Sequence, residues 1–503
     1  MADRLHLAIR PSDDKDEAVQ RFLDAIRQWT RRTVDAFPDG YVSDSHDGGT
    51  FMVPWVPYIR ATDDPVPLDF MRRYRDAAKR HFEKTGQWLD GYWRRQEAHH
   101  GTEHFDIFLR ALWQLDPADP HTVEQLEDAA EHIGNWKDGL PQWYDADANL
   151  FRSMHLGTEV VGEPTCNIPD HLRLVSLCLL AHAMTRRERY LRLAREYGLR
   201  WADAVTRAET LPIGIDADGP VYDLGEDETT YRSFVGAAPK DLSQNLSRAE
   251  NLIASGAPDL FLELWQRTHV REFRGAAERL VDLATDVLAS PIAWQAQAAV
   301  ARYRRQTTDT RYDNAVATLP PEALRPVQTL TLVPAPDTPC TSGPMGMRGD
   351  KPDWLDEDGA PAPSPLLQAL AAEVAQDDAL ATQALDLALA HFHLAQQAFG
   401  DTCEHGCGSR SLAAVARGHG RLNGAGVVSE VLYQQQGKKL ISLYPDELPH
   451  LDRKLTQALH PLQTATSEGS QDPPSPPGSR AGSRSTVDES RQVSGSTATD
   501  SIR

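Results

Sequence analysis

Residues 97–105 read EAHHGTEHF, three histidines and two glutamates within a short stretch. Part of it returns as MHLGTEV at residues 154–160, so H-x-G-T-E is written twice, with His99 matched by His155 and Glu103 by Glu159. Imidazole titrates near neutral pH and can give or take a proton during a reaction. Imidazole with carboxylate also suits a divalent ion. The repeat therefore nominates His100 and His155 as acid–base residues, with Tyr92 or Tyr222 as a partner acid. It nominates His99, Glu103 and Glu159 as ligands of a divalent metal such as Mn, Zn, Fe or Ca. The G-T-E part has a structural reading as well, because Thr can cap a following helix and Glu suits its first turn. Capping leaves the histidines unexplained. His132, in EHIGNW, reads most simply as a histidine at a helix C-terminus, where the dipole favours it.

Two other groups could do chemistry. Residues 401–430 read DTCEHGCGSRSLAAVARGHGRLNGAGVVSE. Cys403, His405 and Cys407 form C-x-H-x-C, a start for a zinc site with His419 as fourth ligand, though the spacing is not a common finger pattern. In RGHGRLNGAG, glycines let the backbone approach a ligand and arginine offers a planar fork for a carboxylate. His419, Arg421 and Asn423 are thus candidates for binding an acidic sugar; a plain loop between helices is the alternative. Asp145, Asp147, Asp216 and Asp218 stand in two D-A-D segments. A pair of them could serve glycoside hydrolysis, or each D-x-D could simply build a turn. Trp88, Tyr92, Trp93, Trp136, Trp143 and Tyr144 gather beside the histidine-bearing loops, and flat aromatic faces suit sugar rings. Trp143 and Tyr144, in LPQWYDADAN, are the expected ligand contacts. Trp113 and Trp201 sit on apolar helix faces and read as packing.

Helices must position these residues. Amphipathic helical periodicity runs from Asp14 to about Asp452, and TLTLVP at 329–334 is the best strand candidate. DHLRLVSLCLLAHAMT, 170–185, is apolar nearly all round and predicts a helix buried on every side. It is followed after a minimal turn by an amphipathic helix over 187–209, its apolar face carrying Leu191, Ala194, Tyr197, Leu199 and Trp201. The junction MTRRERY recurs downstream as QTTDTRY, a T-x-x-x-R-Y pattern that matches Thr185 to Thr307 and Tyr190 to Tyr312. Repeated hairpins indicate a helical repeat architecture. Short turns alternate with long Gly/Pro/Trp-rich loops at 137–169 and 211–258. A closed ring of hairpins with long loops crowded at one mouth accounts for that asymmetry better than an open solenoid. Equivalent loops of neighbouring hairpins would then bring the two H-x-G-T-E copies to one cavity.

With T-x-x-x-R-Y junctions, Trp-rich loops and LPIGIDADGPVYDL at 211–224, the chain resembles the (α/α) toroid, or six-hairpin, enzymes of carbohydrate metabolism over roughly residues 65–319. The resemblance implies a mainly α fold, an (α/α)n toroid over 65–452 joined by an N-terminal helix and loop segment over 1–64. It also implies a saccharide substrate and, most concretely, a polysaccharide lyase that cleaves uronate-containing chains by β-elimination. In that chemistry Arg421 and Asn423, or an ion held by the repeat, neutralise the uronate carboxylate. His100 or His155 is the base and Tyr92 or Tyr222 the acid. A six-hairpin glycoside hydrolase using Asp or Glu pairs is the alternative enzyme, and a helical scaffold that binds a protein is the non-enzymatic one.

Composition narrows the partners. The 503 residues carry 73 acidic against 52 basic side chains, a formal net charge of −21. Such a balance argues against nucleic acid, which needs a basic surface, and against anionic membrane. The N-terminus lacks a signal-peptide core, no run approaches membrane-spanning length, and the five cysteines show no extracellular framework. A soluble cytoplasmic protein is the expectation. Residues 465–503, rich in Ser, Pro, Gly and Thr, are expected to be a disordered tail. P-loop, dinucleotide, H-E-x-x-H and G-x-S-x-G motifs are absent from the sequence.

Overall fold

The computed structural model describes residues 4–42, 46, 48–89, 92–93, 96–133, 136, 138–139, 143–153, 155, 166–207, 209–223, 244–333 and 353–399. All fall in the first of two compact units, Met1–Ala458; the second, Leu459–Arg503, lies outside them. The 401–430 segment and the expected tail also lie outside the described residues.

These residues are mainly helical. The helices are α1 (Lys15–Ala36), α2 (Trp55–Thr62), α3 (Pro65–Lys84), α4 (Ala98–Thr102), α5 (Arg110–Leu115), α6 (Pro120–Ile133), α7 (Leu172–Thr185) and α8 (Glu188–Arg207). They continue as α9 (Asn245–Ala254), α10 (Ala257–Thr268), α11 (Arg271–Thr285), α12 (Trp294–Thr307), α13 (Asp313–Ala317), α14 (Pro365–Ala375) and α15 (Asp378–Phe399). Their starts carry the expected local chemistry. Asp14 accepts the Glu17 amide at 2.8 Å, and Asp64 accepts that of Val66 at 3.1 Å with Pro65 opening α3.

Among the described residues one hairpin turn is used four times. Thr62, Thr185, Thr268 and Thr307 each end a helix, and each hydroxyl donates to the carbonyl four residues back at 2.6–2.8 Å. The next residue, Asp63, Arg186, His269 or Thr308, is left-handed with φ between 53° and 59°. The amide after that donates to the threonine oxygen at 3.2–3.4 Å. One side chain thus serves both a helix end and the chain leaving it. The sequence pattern exposes two of these turns; the other two lack the Arg-Tyr that follows.

That Arg-Tyr has its own task. Tyr190 and Arg189 both reach Glu131 on α6. Tyr312 donates to Asp282 at 2.7 Å and Arg311 pairs with Glu278 at 3.1 Å, both on α11. Each T-x-x-x-R-Y junction therefore clamps its hairpin to an acid on a preceding helix. Further inside, carboxylate–guanidinium pairs join the buried helices. Arg110 binds Asp106 at 2.8 Å while Ser176 of α7 donates to the same carboxylate at 2.8 Å. Arg302 of α12 binds Asp259 of α10 at 3.2 Å. α7 is buried from Leu172 to Met184, as its all-apolar pattern predicts. On α8 the buried face is Tyr190, Leu193, Ala194, Tyr197 and Trp201, rotated slightly from the predicted one, with Leu191 and Leu199 at its margins.

The two ends of the described chain meet. α1 packs on α15, with Trp29 and Phe392 ring centroids 5.5 Å apart and Trp29 edge-on to Trp55 at 5.6 Å. β1 (Leu5–Ala8), which periodicity does not reveal, pairs antiparallel with β8 (Thr329–Val333), and β8 with β9 (Asp353–Leu355). Leu330 and Leu332 of β8 sit with Leu387, Ala390 and Leu394 of α15 in one apolar cluster. Three two-stranded ribbons complete the described strands: β2 (Trp88–Leu89) with β3 (Tyr92–Trp93), β4 (Tyr144–Asp145) with β5 (Leu150–Phe151), and β6 (Gly214–Asp216) with β7 (Gly219–Val221).

Candidate functional site

The two histidine segments touch at one described point: Glu97 and His155 pair in an antiparallel β-bridge, which brings the first histidine of the second copy beside the residue preceding α4. The first copy is not a loop before a helix, as its capping residues suggest; it is already helical. α4 starts at Ala98, and Glu97 is its cap, accepting the His100 amide at 3.3 Å. Thr102 turns its hydroxyl back to the Ala98 carbonyl at 2.8 Å instead of capping. Over Glu103–Leu109 the backbone then widens into a π-helical turn before α5. Such turns recur at functional sites because they re-aim the side chains they carry.

Four side chains form the centre. The Glu97 carboxylate contacts His100 Nδ1, and His46 Nε2 lies 3.4 Å from Glu103 Oε2. The two imidazoles face each other edge-on, with centroids 4.8 Å apart. Two imidazole–carboxylate pairs thus share one edge. Glu103 is only 1% exposed, whereas Glu97, His46 and His100 keep 13%, 15% and 19%, so these three are partly open to solvent. His46 was not a sequence candidate. Its signal lies in HDGGT, where Gly49 lets the loop settle on the π-turn: a Cβ there would fall 2.7 Å from both Phe108 and Tyr74.

The surroundings are polar behind and aromatic beside. Thr102 Oγ1 lies 3.5 Å from Arg173 Nη1, and Arg173 Nε is 3.8 Å from Asp170, which also accepts Ser255 Oγ at 2.7 Å. A buried guanidinium therefore stands one hydroxyl away from the cluster. His104, on the π-turn, is fully buried edge-on to Trp88 at 5.4 Å. Burial pushes its pKa down to about 3, so it is a neutral packing imidazole at physiological pH. The His155 amide donates to Ser153 Oγ at 3.0 Å, and Ser153 O lies 3.3 Å from His171 Nε2.

The other nominated residues separate. Trp143 is 2% exposed and packs on Phe151 at 4.7 Å, so it is a core residue of its hairpin and not an open stacking face. Tyr144 also turns inward, its hydroxyl bonding Asn149. Both D-A-D segments are turn builders. Asp145 accepts the amides of Asp147 and Ala148 at 3.1 and 3.0 Å, and Asp216 those of Asp218 and Gly219 at 2.9 and 3.0 Å. Tyr222 is 39% exposed at the end of β7, with its carbonyl accepting from Arg248 at 3.0 Å. His132 bonds the Asp128 carbonyl at 2.7 Å in the last turn of α6, as expected. Tyr92 lies on β3 and His99 on α4. Glu159, Cys403, His405, Cys407, His419, Arg421 and Asn423 lie outside the described residues.

Among the described residues, no three His, Cys, Asp or Glu side chains gather as a metal-holding group, and no helix is long and apolar enough to cross a membrane. The chain matches no protein-family model, no curated protein and no solved structure.

Proposed function

We propose that the chain is an acid–base enzyme acting on saccharides, a lyase that cleaves uronate-containing oligosaccharides by β-elimination in a closed ring of helical hairpins. The ring reading rests on successive hairpins clamped to one another and on the packing of α1 against α15. The single observation that carries the chemistry is the meeting of the His100–Glu97 and His46–Glu103 pairs. A carboxylate on one ring nitrogen orients an imidazole and raises its basicity at the other. One imidazole takes the C5 proton of the uronate, the C5 electron pair forms the C4–C5 double bond, and the C4–O bond breaks. The second imidazole protonates the departing oxygen, with His155 and the tyrosines Tyr92 and Tyr222 as further candidates for these steps. Arg173, reached through Thr102, supplies positive charge toward the substrate carboxylate. A divalent ion held by His99, Glu103 and Glu159 is the alternative source of that charge, read by elemental analysis of the purified protein.

The hydrolase alternative loses support, because Asp145 and Asp216 are engaged in their turns. The test is ultraviolet detection of an unsaturated product from a panel of uronate and neutral glycans. A uronate substrate should yield the chromophore, and His46→Ala and His100→Ala should each lower the rate by about 10²- to 10⁴-fold with the helical circular dichroism retained. New reducing ends without the chromophore, or both variants at full rate, overturn the reading.

A further inference from the structure

The hairpin β4–β5, with Tyr144, Asp145 and Arg152, lines a cavity of about 420 Å³ together with α8 and Trp136. Arg189 spreads over the Trp136 ring, 4.9 Å from its centroid, and Trp136 stands edge-on to Tyr190 at 5.1 Å. Arg152, Arg192, Asp147 and Glu196 complete the polar wall. Their duties differ. Arg152 is paired with Asp145 at 2.9 Å, and Arg189 is held by Glu131. Arg192 makes no ion pair among the described residues and is exposed, as are Asp147 and Glu196. The cavity therefore offers the aromatic side chains Trp136 and Tyr144, an uncommitted guanidinium fork at Arg192, and two carboxylates able to accept hydrogen bonds from hydroxyls. That combination fits a sugar bearing a carboxylate: the fork takes the acid and the carboxylates the hydroxyls, against a wall of aromatic edges.

The cavity is also tied to the histidine cluster. Arg152 lines it, and His155, three residues later in the sequence and so at most roughly 10 Å away along the chain, bridges to Glu97. We propose that this cavity is an anchoring subsite for an acidic oligosaccharide, holding one uronate unit outside the catalytic cluster. The proposal rests on the saccharide reading above. Binding energy gained at such a distance from the reacting atoms lowers KM for long substrates and leaves short ones unaffected.

The experiment is titration calorimetry of the full chain with trigalacturonic acid, and with maltotriose as the neutral control, for wild type, Arg192→Ala and His46→Ala. Arg192 is solvent-exposed, so its replacement leaves the fold intact. Trigalacturonic acid should bind wild type and His46→Ala alike, bind Arg192→Ala at least tenfold more weakly, and outcompete maltotriose. Equal affinity in wild type and Arg192→Ala, equal affinity for the neutral sugar, or no binding at all overturns the proposal. Arg192-dependent binding with no unsaturated product from any uronate would retain this subsite and sink the lyase reading. An unsaturated product with no Arg192 effect on affinity or KM would do the reverse.

Discussion

Two regions of this chain set carboxylates against nitrogen bases, and they choose different bases. At the hairpin junctions and between the buried helices the partner is arginine: Glu131 with Arg189, Glu278 with Arg311, Asp106 with Arg110, Asp259 with Arg302. Around α4 the partner is histidine: Glu97 with His100, Glu103 with His46. Guanidinium does not lose its proton in any ordinary condition, so the first group is permanent structure. Imidazole is the base that the proposed proton transfer calls for, so the second group is where that proposal is tested.

The largest test of this contrast is Arg110→Met. It strands the buried Asp106 carboxylate and should cost about 3–5 kcal/mol in urea unfolding, because an unpaired buried charge is left behind. An effect near zero would show that the interior pairs are not the frame.

The imidazoles that stay in the core give a pH signature. His104 is pushed down to about 3, and His171 and His391 to about 4, by burial in each case. Unfolded, each would titrate near 6.5, so below that pH the unfolded chain binds protons that the native chain refuses. Stability is therefore complete above pH 6.5 and falls as the pH drops toward 4, by up to about 1.4 kcal/mol per pH unit for each histidine. His104→Phe should remove one proton from that slope between pH 4 and 6. An unchanged slope would place the acid sensitivity elsewhere.

The clamps are predicted to be equivalent. Tyr190→Phe and Tyr312→Phe each remove one hydrogen bond to a carboxylate, and each should lower stability by about 1–2 kcal/mol in thermal or urea unfolding. A large difference between them would mean that the repeated motif is not a repeated function. The smallest effect has the opposite sign. Thr308 is an exposed β-branched residue in the left-handed region, so Thr308→Gly should stabilise the chain by about 0.5–1 kcal/mol, read as a higher urea midpoint.

Much of the helical scaffold was legible in the linear pattern. The all-round burial of α7 follows from its uninterrupted apolar run, and the strand at 329–333 from its alternation. Two of the four threonine turns announce themselves through the Arg-Tyr that follows; Thr62 and Thr268 do not, because Asp-Pro-Val and Val-Arg-Glu follow their left-handed residues instead and no common pattern marks them. The candidate site was half legible. Glu103 and His155 stand out by type and repetition and His100 by standing inside the repeated signature, while the Glu97–His155 bridge is the one described contact between the two segments. His46 did not stand out, since a lone histidine in a Gly-rich loop carries no periodic signal. Trp143 misled for a related reason: an aromatic in a polar loop looks available, while only the pairing of β4 with β5 turns it inward.

Residue types and periods by themselves determined that this chain would be a set of helical hairpins carrying two imidazole–acid segments, because helix amphipathicity and turn chemistry act over a few neighbouring residues. Which imidazole meets which carboxylate was decided only by the tertiary structure. The π-turn at Glu103–Leu109 and the close seat of Gly49 bring His46 to Glu103, and contacts so distant in sequence are set by packing between elements that no local pattern encodes.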